Sequence, residues 1–334
     1  MYNLLDTITI PDEKLEILER STHDNQDSLQ EIGDALVHLY KAMITIDPSI
    51  RHQDDEENTA NGISSDFSNM RAVKDQKEKY SRASMAFVET FNNKMISKFR
   101  AGQVQITEML HSQRSQPAPG TKIDHAVRNR FRTDLLYYSP IVLFEREVRR
   151  EQHQFLLDKY ASSVVEAYRS QFKNVIQAWQ KDTKVSAGNE DVLFTYQEKE
   201  AEGMARKLTV KRSKTVIKAE GPKGLGIDRD QSGKVEAYVA FNGALIDLSQ
   251  AIVLEQNFVI EYFHLHSGQD VDFPDLIERA SRGQQIHTHL IESRGYENDR
   301  DLRTLIRSVV SQTFSGWAEM LKATSEQILN EDRL

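Results

Sequence analysis

Few residues in this 334-residue sequence combine type and spacing in a way that could do chemistry. Four histidines fall into two His-x-His pairs, His264/His266 and His287/His289. Imidazole nitrogens ligate zinc and copper. Residues i and i+2 on a helix point about 200° apart, however, so neither pair closes on one ion, and no supporting carboxylate is evident beside them. Cysteine is absent, which excludes disulfides, thiolate nucleophiles and cysteine-ligated zinc or iron–sulfur centres. The run Gly221-Pro222-Lys223-Gly224-Leu225-Gly226 is glycine-rich. A phosphate-binding loop needs its lysine after the last glycine, between a strand and a helix. Here the lysine precedes the last two glycines and no apolar strand leads in, so the run reads as a flexible linker. Nothing marks a nucleophile elbow, a metalloprotease helix or a kinase loop. The expectation is a non-enzymatic chain with no catalytic residue, no metal site, no cofactor and no small-molecule substrate.

One segment concentrates charge. Arg206, Lys207, Lys211, Arg212, Lys214 and Lys218 lie in a stretch with no acid from Met204 to Ala219. Such a patch fits anionic lipid headgroups, each cation contributing about 1 kcal/mol near the surface. Phosphate on Thr209, Ser213 or Thr215 would cancel that charge. The bland reading is a solvated strip beside an acidic protein. The whole chain has the opposite sign: 43 Lys and Arg against 51 Asp and Glu give −8. That balance argues against a nucleic-acid binder, which needs net cation density to displace counterions from phosphate.

Any of these residues would have to be positioned by helices. Hydrophobic residues make up 39% of the chain, enough for a core, and only 15 Gly and 7 Pro occur, in clusters. Long stretches thus run without a helix breaker. The first helical segment, residues 1–50, carries Leu15 and Leu18, then Ile32, Leu36, Leu39 and Met43 at three- and four-residue steps up to Asp47-Pro48. Residues 51–69 form an acidic linker with four consecutive acids, Asp54 to Glu57. Residues 70–116 read as one coiled-coil-type helix, roughly 65 Å long over its helical stretch at about 1.5 Å per residue. Its apolar stripe is Val73, Tyr80, Phe87, Phe91, Met95, Phe99, Ile106 and Leu110. A helix with one apolar side needs another helix against it, and this stripe is the expected seam for a partner.

A first bundle part spans 121–182. Ser139-Pro140 interrupts it, and a long helix from Arg149 to about Lys181 follows, with Leu156, Tyr160, Val164, Tyr168, Phe172, Ile176 and Trp179 on one stripe. Residues 183–234 form the flexible basic linker. A second bundle part, 235–334, opens with a helix to about His266 that is apolar on more than one side and is expected to be the most buried of the chain. A short helix from Phe273-Pro274 to about Ser281 follows, then one last helix from about Asn298 to Asn330. The fold class is therefore all-α: long amphipathic helices followed by stacked bundles, forming an elongated rod. Met1 to Asp6 shows no secretory signal, and no apolar run approaches the ~20 residues that span a bilayer.

Several blocks carry a family resemblance. They are Arg71-Ala72-Val73 opening the long helix; Leu135-Leu136-Tyr137-Tyr138 with Val142 to Val148; Leu193 to Glu200 with Ala205 to Ser213; and Ala240 to Leu245 with Leu254 to Phe258. Together, in order from Ile32 to Trp317, they resemble the central to C-terminal region of the fungal exocyst complex component one, the Sec-three-type subunit. The N-terminal phosphoinositide- and GTPase-binding module of that family has no counterpart in this sequence, so those activities are not carried over. The resemblance implies a cytoplasmic scaffold subunit that packs its helices against other exocyst subunits in a hetero-oligomer. It implies peripheral recruitment to plasma-membrane sites of exocytosis, where the assembly tethers secretory vesicles. Two other readings stand beside it. A coiled-coil adaptor or cytoskeletal linker would self-associate through the same stripe. A helical enzyme would bring buried, partner-poor ionisable residues into one pocket.

Overall fold

The computed structural model describes residues 8–20, 26–50, 70–112, 123, 125–183, 235–265, 273–281 and 300–331. Among them every regular element is a helix. The helices are α1 (Asp12–Arg20), α2 (Gln26–Ile46), α3 (Arg71–Ser112), α4 (Ala126–Leu136), α5 (Ser139–Val148), α6 (Arg150–Asp182), α7 (Ala237–Tyr262), α8 (Phe273–Ser281), α9 (Arg300–Thr313) and α10 (Trp317–Glu331), with a 3-10 turn at Pro48–Ile50. The chain is all-α, as its periodicity predicts. It divides into two compact units, the first made of Met1–Gln113, His125–Tyr168 and Ala251–Phe314, the second of Arg114–Asp124, Arg169–Gln250 and Ser315–Leu334.

The first unit is organised by the 42-residue α3. From Val73 to Ile106 its apolar stripe is almost fully buried, and the groups that cover it come from this chain. The Tyr80 hydroxyl donates to the Ile8 carbonyl (2.7 Å) and accepts from the Ile10 amide (3.0 Å). The Phe87 ring meets Phe144 of α5 edge-on at 6.4 Å. Phe99 meets Tyr160 of α6 at 5.1 Å and Tyr262 of α7 at 6.4 Å. The expected partner seam is thus corrected: Val73, Tyr80, Phe87, Phe91, Met95, Phe99 and Ile106 form intramolecular core, while the side chain of Leu110 lies outside the described residues. The stripe was legible because it has helical period, but period alone does not say whose helices fill it.

Pro140 starts a helix instead of kinking one. It sits in the first turn of α5, where the missing amide hydrogen would have had no intrahelical partner. Every residue from Ser139 to Glu145 is buried, so α5 is a short plug through the first unit. The last turn of α7 closes on His264, whose φ of 53° is left-handed. Leu265 donates to the Ile260 carbonyl (2.9 Å) across that turn, as in helix ends that reverse through a left-handed residue.

The second unit packs the end of α6 and the start of α7 with α10. Phe172 stacks on Trp317 at 4.4 Å. The Trp179 indole donates to Asp247 (3.0 Å), and its ring lies over Gly243. A Cβ at 243 would come within 2.5 Å of that ring, so only glycine leaves room for it. Val235 donates to the Asp182 carbonyl (2.9 Å), which brings the two ends of the 183–234 segment together.

Two helix expectations change. The final helix is two, α9 and α10, separated at Phe314–Gly316, where Gly316 adopts φ of +83°. Nor is α7 the most buried helix: Tyr238, Leu245, Ile246 and Val253 all face solvent. At 26 residues it is also long and apolar enough to cross a membrane by length and composition, contrary to the expectation of no such run. Of its three acids, Asp247 and Glu255 are each bonded inside the chain's own units.

Candidate functional site: a buried polar network and an uncharged helix face

In the first unit, Glu255 of α7 is fully enclosed and accepts three hydrogen bonds. They come from Arg132 of α4 (2.5 Å) and from the hydroxyls of Tyr160 (2.5 Å) and Tyr168 (2.6 Å) of α6. Arg132 also donates to the Tyr168 hydroxyl (2.9 Å) and to Asn129 (2.8 Å). Arg128, one turn earlier, lies over the Tyr168 ring at 3.9 Å and donates to Gln103 (3.2 Å). Burial alone would push the Glu255 carboxyl up, but Arg132, Arg128 and the two hydroxyls hold it below the usual glutamate value. Burial likewise opposes the charge on Arg132, and Tyr168 and Glu255 more than offset it. Burial, then the Glu255 charge, drives Tyr160 far above an ordinary phenol. The result is a buried ion pair that ties α4, α6 and α7 together, with only the Arg132 Nε left without a hydrogen-bond partner among the described residues of this network.

A second buried carboxyl differs. Glu145 of α5 accepts from the Asn92 side chain of α3 (2.7 Å) through one oxygen. Its other oxygen has no hydrogen-bond partner among the described residues. Burial pushes this carboxyl up to about 8, only partly offset by the Asn92 bond. A third set closes the end of α7. His153 bonds the Phe263 carbonyl (3.0 Å), Arg146 donates to the His264 carbonyl (2.7 Å), and the His264 ring lies 2.8 Å from the Ser139 hydroxyl. Burial depresses His153 to about 4, with the Phe263 bond opposing and the Arg146 charge reinforcing that shift. His264 is therefore a helix-end residue, and His266, His287 and His289 lie outside the described residues. No group of three or more potential metal ligands is found among the described residues.

These polar groups were not anticipated as site residues, although a signal existed. Leu248, Ala251, Glu255, Phe258 and Tyr262 share one three-and-four spacing, and all are buried. An acid in the middle of such a stripe needs buried hydrogen-bond donors, a cation, or a retained proton. Likewise Glu145 ends the apolar run from Ile141 to Phe144. The buried ionisable residues that a helical enzyme would need are thus present. They do not line the apolar cleft of the second unit, whose walls include Ile176, Trp179, Ala240, Ala244, Leu321 and Thr324 and no ionisable side chain.

The lysines and arginines of the expected lipid patch, Arg206, Lys207, Lys211, Arg212, Lys214 and Lys218, lie outside the described residues. The remaining surface feature is the outer face of α7 in the second unit. Tyr238 is 74% exposed, Ile246 42% and Leu245 36%. Asn242 and Ser249, also exposed, fall between them. At 100° per residue these five occupy an arc of about 100°. From Ala237 to Gln250 the only charged residue is Asp247, which is buried on the other side. No protein-family model, curated protein or solved structure matches this chain.

Proposed function

We propose that this chain is a non-enzymatic scaffold subunit of the exocyst. In this reading it works in the cytoplasm and is recruited peripherally to plasma-membrane sites, where the assembly attaches secretory vesicles by helix packing between subunits. The sequence blocks shared with the Sec-three-type subunits motivate the reading, and the helical-bundle fold is compatible with it. The observation that carries it is the uncharged face of α7. A solvated helix normally turns charged side chains outward, whereas Tyr238, Leu245 and Ile246 turn apolar area outward with only Asn242 and Ser249 between. The contact with other subunits is thereby moved from the α3 stripe to α7.

The test is affinity purification of the full chain from cells, with identification of co-eluting proteins, for wild type and for Tyr238→Glu/Ile246→Glu. Both positions are exposed, so the variant should fold. Wild type should bring down other exocyst subunits and the variant should lose most of them. Recovery of no such subunit by wild type refutes the reading. The same face, lacking charges that would fix an unlike partner, also fits a homo-oligomeric adaptor. Sedimentation showing a stable homodimer that the variant dissolves would favour that second reading.

A further inference from the structure

Among the described residues of the first unit, Glu145 is a buried carboxyl with no ion-pair partner. Glu145 is fully buried on α5, and Asn92 on α3 satisfies one of its oxygens. The second Glu145 oxygen, the Asn92 side-chain oxygen and the Tyr262 hydroxyl of α7 all lack hydrogen-bond partners among the described residues. Tyr262 feels the Glu145 charge, which together with burial holds its hydroxyl well above an ordinary phenol. The charged groups on the surrounding elements are turned elsewhere. Lys98 of α3 donates to Tyr138 (3.1 Å), and Arg149 donates to Ser81 and Ser84. Arg146 caps the end of α7, His153 of α6 is held neutral, and Glu255 is consumed by Arg132. Glu261 of α7 is an acid and offers no compensation.

We propose that Glu145, with Asn92 and Tyr262, is a proton-dependent latch on the first unit: α5 seats between α3 and α7 while the carboxyl carries its proton, and loosens when the proton leaves. With Oε1 accepting from Asn92, the proton sits on Oε2, the oxygen that no donor among the described residues reaches. Loss of that proton leaves a buried anion whose one hydrogen bond among the described residues comes from the neutral Asn92 amide, with no cation bonded to it. The strain falls on α5, whose Phe144 packs on Tyr40, Phe87 and Phe273. The rise of the Glu145 carboxyl from 4.5 to about 8 makes closure weaken steadily as pH rises through neutrality, up to about 8.

The experiment is peptide-resolved hydrogen exchange of the full chain between pH 6.5 and 9.5, with exchange times scaled for base catalysis, for wild type and Glu145→Gln. Between 4.5, where the exposed carboxyl ionises, and about 8, where the seated one does, each pH unit weakens closure by up to about tenfold, and above about 8 the effect levels off. Protection of residues 139–148 in wild type should therefore fall at least about tenfold between pH 6.5 and about 8 and level off above it, while Glu145→Gln, which mimics the protonated acid, stays flat. Parallel profiles in the two proteins overturn the latch. Should the variant not fold, wild type alone decides: protection of 139–148 that holds level across the range refutes it.

Discussion

Replacing Glu255 by glutamine tests whether the Arg132 network is what fastens α4 to α6 and α7. The substitution keeps the shape and removes the charge. In the native protein the carboxylate accepts from Arg132, Tyr160 and Tyr168, all within 2.5 to 2.6 Å. Hydrogen bonds to a charged group contribute about 1.5–3 kcal/mol each, and orphaning one member of a buried pair costs about 3–5 kcal/mol. Glutamine keeps one acceptor, and a tyrosine hydroxyl can rotate to accept from its amide. Arg132 has no such freedom, because a guanidinium only donates. The loss should therefore fall at about 3–5 kcal/mol. Pairing it with Arg132→Met removes the stranded cation, so the double variant should be more stable than Glu255→Gln alone, with a coupling of about 2–3 kcal/mol in the double-mutant cycle. The linkage has a definite sign. Since the folded carboxyl sits below its unfolded value of 4.5, its contribution is complete above that pH and drains away as pH falls through the folded value. Urea denaturation followed by circular dichroism, with hydrogen exchange in residues 126–136 as the local readout, measures both quantities. A cost under about 1 kcal/mol for Glu255→Gln, or strict additivity with Arg132→Met, would refute the argument.

Two further outcomes follow from single contacts. His153, depressed to about 4 from 6.5, makes the unfolded chain take up a proton first as pH drops, so stability should fall between about pH 6.5 and 4 by roughly 3 kcal/mol; His153→Gln, which can still donate to the Phe263 carbonyl, should flatten that slope in denaturation at pH 7 and pH 5. Gly243→Ala puts a methyl group into the Trp179 ring and should destabilise the second unit by about 1–3 kcal/mol, with a change in tryptophan emission; an unchanged denaturation midpoint would show that the ring moves aside freely.

What was legible in the sequence was local. The long α3 and α6, the short α8 and the all-helical class follow from apolar period and from the absence of breakers, which are properties of neighbouring residues. The break between α9 and α10 was missed because an isolated glycine inside a helical pattern is usually tolerated, and the positive φ that Gly316 adopts is not written in its neighbours' types. The burial of α7 was overstated for a related reason. An apolar helix with Tyr238, Leu245, Ile246 and Val253 looks like core from composition, and only the placement of the other helices shows which side they leave uncovered. Glu255, Arg132 and Glu145 were overlooked because the partners that make a buried charge tolerable lie 123 residues apart for the ion pair and 53 for Glu145 and Asn92.

The α3 stripe shows how that nonlocality changes the functional argument. An apolar ridge of this length implies a covering surface, but Phe87, Phe91 and Phe99 are covered by Phe144, Tyr138, Tyr160 and Tyr262 of the same chain. A charge placed there, as in Phe91→Asp, would strand an acid in the interior and unfold the first unit whether or not the chain ever meets a partner. Loss of assembly in that variant therefore carries no information about an interface. The face of α7 does not share this ambiguity. Tyr238 and Ile246 are exposed, so a variant there that folds and loses its partners reports on recognition. The case for a subunit thus depends on an apolar face that the described helices leave open, and no longer on the longest helix of the chain.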